Sequence, residues 1–197
     1  VSGQEKYVYT YFNNTRTTGK LVVKYRYKLN QTFLGTDPSK ENVNFWLMRD
    51  DGKKISSVTD GTQQVIRLAV NKTQFFALPQ RGGTSVMKQL DAEEQETWHD
   101  VTLVLDMDRN KYTCYFDGAV LKDSKTGSLA NDMNFYTNGH PVNKLIFGES
   151  SRSIDLLLDD IEVYSDEDAV YGGMLSAGAA LDSQMAGQPE IVTGTLD

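Results

Sequence analysis

Thr97-Trp98-His99-Asp100-Val101-Thr102-Leu103-Val104-Leu105-Asp106, followed by Tyr112-Thr113-Cys114-Tyr115-Phe116-Asp117-Gly118, is the stretch on which the reading of this sequence turns. Val101, Leu103 and Leu105 share one parity, and so do Tyr112, Cys114 and Phe116. That is the period of strands burying one face. Asp108-Arg109-Asn110 between them is turn-prone, and Asp117-Gly118 supplies residues that tolerate positive φ and reverse the second strand. Trp98, at the start of the first strand, reads as a core or edge plug rather than a ligand platform, because so large an apolar ring is usually buried.

Outward from this hairpin, the same period recurs in short runs. Between Lys20 and Leu29, Val23, Tyr25, Tyr27 and Leu29 alternate with Lys24, Arg26 and Lys28, so this strand has one wet face. Further strands are expected at 7–12, 43–49, 54–58, 65–70, 74–78, 144–147 and 154–164, with turns at Asp51-Gly52, Asp60-Gly61 and Asn138-Gly139. Many short strands with regular turns, and no long run at helical spacing, point to an all-β, antiparallel two-sheet β-sandwich over residues 1–165. From residue 166 to 197 the chain turns acidic and rich in Gly and Ala, which reads as a tail or linker. A short helix over 169–185, packed on the sandwich, is the alternative. Asp91 to Glu96 is an acidic surface loop or a single helical turn.

The hairpin, together with Leu145-Ile146-Phe147-Gly148 and Leu157-Leu158-Asp159-Asp160-Ile161-Glu162-Val163-Tyr164, resembles the central hairpin and closing strands of the concanavalin A-like and laminin G-like domains. The resemblance implies a jelly-roll topology and an extracellular or cell-surface setting. It does not choose a function, since lectins, carbohydrate-binding modules, polysaccharide lyases, glycoside hydrolases and plain spacers share this fold. It also implies calcium at the sandwich edge, which Asp159 is placed to hold. By parity Asp159 points inward with Ile161 and Val163, where a lone carboxylate needs calcium or backbone N–H groups as partner.

A net charge of −7 and a pI near 4.9 disfavour nucleic acid and anionic lipid as partners. No run approaches the ~20 apolar residues of a membrane span, so membrane insertion is not expected. The polar start, Val1 to Lys6, is not a signal peptide, and the chain reads as a mature or excised segment of a polypeptide with other modules. The single Cys114 reads as a small buried hydrophobe. Asn13-Asn14-Thr15, Asn30-Gln31-Thr32 and Asn71-Lys72-Thr73 fit the N-glycosylation pattern, though such triplets arise easily by chance here.

Catalytic signatures are missing. A hydrolase of this fold needs a Glu-x-Asp-x-x-Glu strand, which no strand candidate carries, and the adjacent Asp159 and Asp160 point to opposite faces. No nucleophile elbow, phosphate loop or zinc motif is present. A lyase acting on an acidic glycan would use Tyr or His as base with Arg neutralising the uronate. His99 reads as a structural histidine beside Trp98, and His140 as a turn residue. Binding asks for less: an aromatic plane and a few fixed polar groups. Arg26, Arg67 and Tyr115 take the outward parity of their strands. Trp46 faces outward beside Asn44 if Phe45 and Leu47 are core, and Tyr136 is a second platform in a loop. The sequence is therefore read as a noncatalytic module binding a polysaccharide or other glycan through Arg26, Trp46, Arg67, Tyr115 and Tyr136, with a lyase or a structural spacer as the alternatives.

Overall fold

The computed structural model of the protein describes residues 6–12, 17–31, 43–49, 64–78, 83–136, 141–149, 154–165 and 190–194. The expected strand at 54–58, the helix alternative at 169–185, His140 and the turns at Asp51-Gly52, Asp60-Gly61 and Asn138-Gly139 lie outside the described residues.

Thirteen strands form two antiparallel sheets among the described residues, with no helix. The seven-stranded sheet contains β1 (Lys6–Tyr11), β3 (Val43–Met48), β4 (Gln64–Val70), β5 (Gln74–Leu78), β6 (Val86–Gln89), β11 (Lys144–Glu149) and β13 (Glu190–Gly194), in the order β13-β1-β11-β3-β4-β5-β6. The six-stranded sheet contains β2 (Lys20–Gln31), β7 (His99–Asp106), β8 (Lys111–Phe116), β9 (Ala119–Val120), β10 (Met133–Asn134) and β12 (Ile154–Tyr164). Its order is β10-β8-β7-β2-β12, and β9 pairs β8 off this path. This is the all-β, antiparallel two-sheet sandwich that the alternation predicts, with the jelly-roll architecture that the resemblance implies. β13 falls within 166–197 and pairs with β1 along Tyr7 to Tyr11.

Alternation sorts the side chains as the strand period requires. In β7 the residues His99, Val101, Leu103 and Leu105 are buried, and in β8 Tyr112, Cys114 and Phe116 are buried against them. Tyr25 and Tyr27 of β2 reach across to the other sheet, where Tyr25 meets Phe45 and Phe147 and Tyr27 meets Phe45 and Phe75 at centroid distances of 5.2 to 6.0 Å. The tilted and edge-to-face contacts, and the near-parallel Tyr27–Phe75 pair, suit the quadrupoles of the rings. Cys114 lies in this core as a free, fully buried thiol whose pKa burial pushes up. Turns follow from the residues that tolerate positive φ: Asn110 (53°) closes the β7–β8 hairpin, and Asp117 (49°) with Gly118 (80°) makes the tight β8–β9 reversal.

One expectation is corrected here. Asp159 does not point inward but is exposed, because the pairing of β12 with β2 slips between Asp159 and Glu162. Asp160, at φ 49°, is the extra residue of the bulge. Leu156 and Leu158 before the bulge and Ile161 and Val163 after it all pack on the core, so inward parity switches from even to odd across it. Asp159 therefore belongs to the outward set with Arg26, its register partner.

Candidate functional site

The outer face of the seven-stranded sheet carries a cross-strand row: Tyr9, Ile146, Trp46, Arg67 and Leu78 are register partners from β1 to β5. Phe45 and Leu47 are core, so Trp46 takes the opposite face, as does Asn44 two residues earlier. Trp46 is only 6% exposed, packed with Met48, Ile146 and Tyr9. It forms a floor rather than a free platform. Half-buried Arg67 lies on this floor. Its Nε and Nη2 both donate to Asn44 Oδ1, at 3.2 and 2.9 Å.

That pairing has two chemical consequences. The side-on edge of the guanidinium is occupied by Asn44, which leaves the end-on fork of Nη1 and the second Nη2 N–H without an acceptor among the described residues. Because an amide oxygen carries no formal charge, Arg67 also keeps its full positive charge, which a carboxylate partner would cancel. Tyr136, in the loop after β10, is tied to the same strand as Arg67: its N–H donates to the Val65 carbonyl at 2.9 Å. Burial raises the Tyr136 pKa, and the charge of Arg67 lowers it by less. The hydroxyl thus stays protonated, a donor within electrostatic reach of Arg67.

The other two candidates lie on the opposite sheet. Arg26 is clamped: its Nε is 2.9 Å from Asp100 Oδ1 and its Nη1 is 3.4 Å from Asp160 Oδ2. Its Cζ stands 5.3 Å from the centroid of the Trp98 ring. Tyr115 lines an open depression of about 550 Å³ with Lys20, Lys111, Thr113, Leu129 and Asn131. Several of its polar groups are already engaged, since Thr113 donates to Asn131 at 2.7 Å and Arg109 forks onto Asp132 at 3.2 and 3.0 Å. The five residues selected from sequence thus divide into Trp46 and Arg67 on the outer face of one sheet, with Tyr136 within electrostatic reach of Arg67, and Arg26 and Tyr115 on the other sheet. Trp98 was expected as a plug and is instead 38% exposed. The signal was present in its outward parity, one residue before inward-facing His99.

His99 is buried and held at both nitrogens: Nδ1 is 2.8 Å from Asp117 Oδ2, and Nε2 is 2.8 Å from the Glu94 carbonyl. Both partners accept, so both nitrogens carry protons and the ring is an imidazolium paired with Asp117. A histidine so committed has no free lone pair for abstracting a proton. The Glu94 turn is the single helical turn expected at 91–96: Gln95 N–H donates to Asp91 O, and Asp91 and Glu94 cap each other's backbone N–H groups.

One Asp159 oxygen already accepts the Asp160 N–H at 2.9 Å, and the Asp160 carboxylate faces Arg26. Among the described residues no group of three or more His, Cys, Asp or Glu side chains converges. Asn71, one of the glycosylation triplets, is 1% exposed and accepts from Thr73 N–H at 3.0 Å, so it is part of a turn rather than an exposed acceptor. The other two triplets lie wholly or partly outside the described residues. Among the described residues no helix is long and apolar enough to cross a membrane.

No family model matches the sequence, and no curated protein matches it. The fold is similar to part of a sialidase, with a TM-score of 0.54 at 12% identity over 82% of this chain and 14% of that one. It is similar also to the carbohydrate recognition domain of Emp47p, with 0.49 at 10% identity over 83% and 80%, and to sheep galectin-11, with 0.46 at 11% over 79% and 97%. This chain spans only 14% of the sialidase it matches. At these identities the likeness concerns architecture: the chain is an all-β, two-sheet jelly-roll sandwich.

Proposed function

We propose that the protein is a noncatalytic glycan-binding or adhesion module of a larger extracellular or cell-surface protein, and that it takes the acidic group of a polysaccharide on Arg67. The observation that carries this reading is the Asn44–Arg67 pair. An Arg fixed by a neutral amide is pre-oriented, still fully charged, and presents a planar fork that matches a carboxylate. Beside it Trp46 supplies an apolar floor and Tyr136 a hydroxyl donor, the mixture a small polar ligand requires. Jelly-roll sandwiches also serve as lectin domains, which is compatible with this use of the sheet.

The test is a titration of uronate-containing oligosaccharides and their carboxyl-reduced counterparts into wild type and Arg67→Ala. The expected outcome is binding of the acidic forms, weaker binding of the reduced forms, and a loss of about tenfold or more in Arg67→Ala, the size of a charge-assisted hydrogen-bond pair. Equal binding of acidic and reduced sugars, or an Arg67→Ala variant that binds as well as wild type, would contradict it.

A lyase acting on an acidic glycan has one observation in its favour, the placement of Tyr136 near Arg67. The raised pKa of Tyr136 works against a base role at neutral pH. Absorbance of the unsaturated product, followed over a panel of uronate polysaccharides, separates the two: binding without product supports the module.

A further inference from the structure

The Arg67 reading leaves Trp98 unused on the opposite sheet. We propose that Trp98, with Asp100 and Asp160, forms a second sugar-contacting site, one that takes an uncharged pyranose. It shares with the Arg67 reading only the class of ligand.

Position and rigidity come first. Trp98 directly precedes β7, and the next residue, His99, is anchored at both ring nitrogens to the Asp117 side chain and the Glu94 carbonyl. Asp100 is anchored too, its N–H donating to Asp117 Oδ1 at 2.9 Å. The indole therefore projects from fixed backbone. Arg26 lies against the ring at 5.3 Å and is itself held by Asp100 and Asp160, so the aromatic plane has a defined orientation yet stays 38% exposed. A rigid, partly exposed indole is the surface on which the C–H face of a pyranose stacks, since it offers a large area at little cost in side-chain entropy.

Charge then selects the sugar. The Asp100 and Asp160 side chains are 63% and 61% exposed, and each commits one oxygen to Arg26. Their remaining lone pairs accept hydrogen bonds from sugar hydroxyls, while a carboxylate or sulfate group placed there offers no donor and meets like charge. Arg26 differs from Arg67 here: two carboxylates neutralise its charge, so it has little attraction left for an acidic group. Size argues for a sugar over a protein partner. Among the described residues Trp98 and Leu157 are the large exposed apolar side chains of this region, and the register partner of Leu157 on β2 is Lys28. That is far short of the ~800 Å² per side of a stable protein interface.

The experiment is a calorimetric titration of neutral oligosaccharides (cello-, xylo-, manno- and chito-series) and uronate oligosaccharides into wild type, Trp98→Ala, Trp98→Phe and Arg67→Ala, with tryptophan emission followed in wild type and Arg67→Ala, which keep Trp98. A neutral oligosaccharide is expected to shift the emission of the exposed Trp98 to the blue. Its affinity is expected to fall at least about tenfold in Trp98→Ala, to be partly kept in Trp98→Phe, and to be unchanged in Arg67→Ala. Near-identical melting temperatures of the three variants and wild type show that the fold is kept. Absence of neutral-sugar binding in wild type, unchanged affinity in Trp98→Ala, or loss in Arg67→Ala would each overturn the proposal. So would concentration-dependent dimerisation abolished by Trp98→Ala, which would assign the patch to a second copy of the chain. Failure of acidic sugars alone would sink the Arg67 reading and leave this one standing.

Discussion

His99 shows how much chemistry one residue fixes. Burial pulls its pKa down, but the hydrogen bonds to Asp117 and to the Glu94 carbonyl, with the charge of Asp117, outweigh that and hold it above the usual histidine value. For Asp117, burial pushes the pKa up, while the hydrogen bonds from His99 and the Asp100 N–H pull it below the usual carboxylate range. A raised His pKa contributes stability that is complete below about 6.5 and is lost as pH rises through the folded value; a lowered Asp pKa contributes stability that is complete above about 3.9 and is lost as pH falls through the folded value. The pair thus contributes most between about pH 4 and 6.5. Melting temperature followed across pH is expected to decline above that window in wild type, and His99→Gln, destabilised by about 1–3 kcal/mol, is expected to lose that decline. An unchanged slope in His99→Gln would contradict the imidazolium. The inward parity of His99 was legible in the sequence. Its partners were not, because Asp117 is 18 residues away and comes beside it only through the β7–β8 register.

At the scale of elements, the β12 bulge is the point where alternation misled. Leu157-Leu158-Asp159-Asp160-Ile161 contains no signal that one residue is supernumerary, so parity counted back from Val163 turns Asp159 inward. Asp160 at φ 49° marks the slip. Asp tolerates this conformation and a β-branched residue does not, so Asp160→Val is expected to cost about 1–2 kcal/mol, whereas Asp160→Gly should leave stability nearly unchanged or raise it. Equal denaturation midpoints for the Val and Gly variants would argue against the bulge. Calcium at Asp159 is read by the melting temperature: a rise that chelator reverses and Asp159→Ala abolishes would assign the ion to this residue, and no rise would leave Asp159 solvated.

At the scale of the whole molecule, the sheets are joined by aromatic side chains: Tyr25 and Tyr27, whose shared parity was readable in the sequence, with Phe45, Phe75 and Phe147. Phe45 touches Tyr25, Tyr27 and Phe147 at once, so Phe45→Ala is expected to cost about 3–5 kcal/mol by chemical denaturation. The site was less legible than the fold, since parity names the wet face of each strand but not which wet faces share a sheet. Strand order does that: β3 and β4 are neighbours, which unites Trp46 with Arg67, while β2 and β8 belong to the other sheet with Arg26 and Tyr115. Asn44 matters for a reason that sequence alone does not display, namely that it holds Arg67 without neutralising it. The most direct measurement is therefore the affinity of Asn44→Asp for a uronate oligosaccharide, beside its melting temperature. Placing a carboxylate on Arg67 should preserve the fold and weaken acidic-glycan binding by about tenfold or more; undiminished affinity in a folded Asn44→Asp variant would contradict the assignment of Arg67 as the receptor.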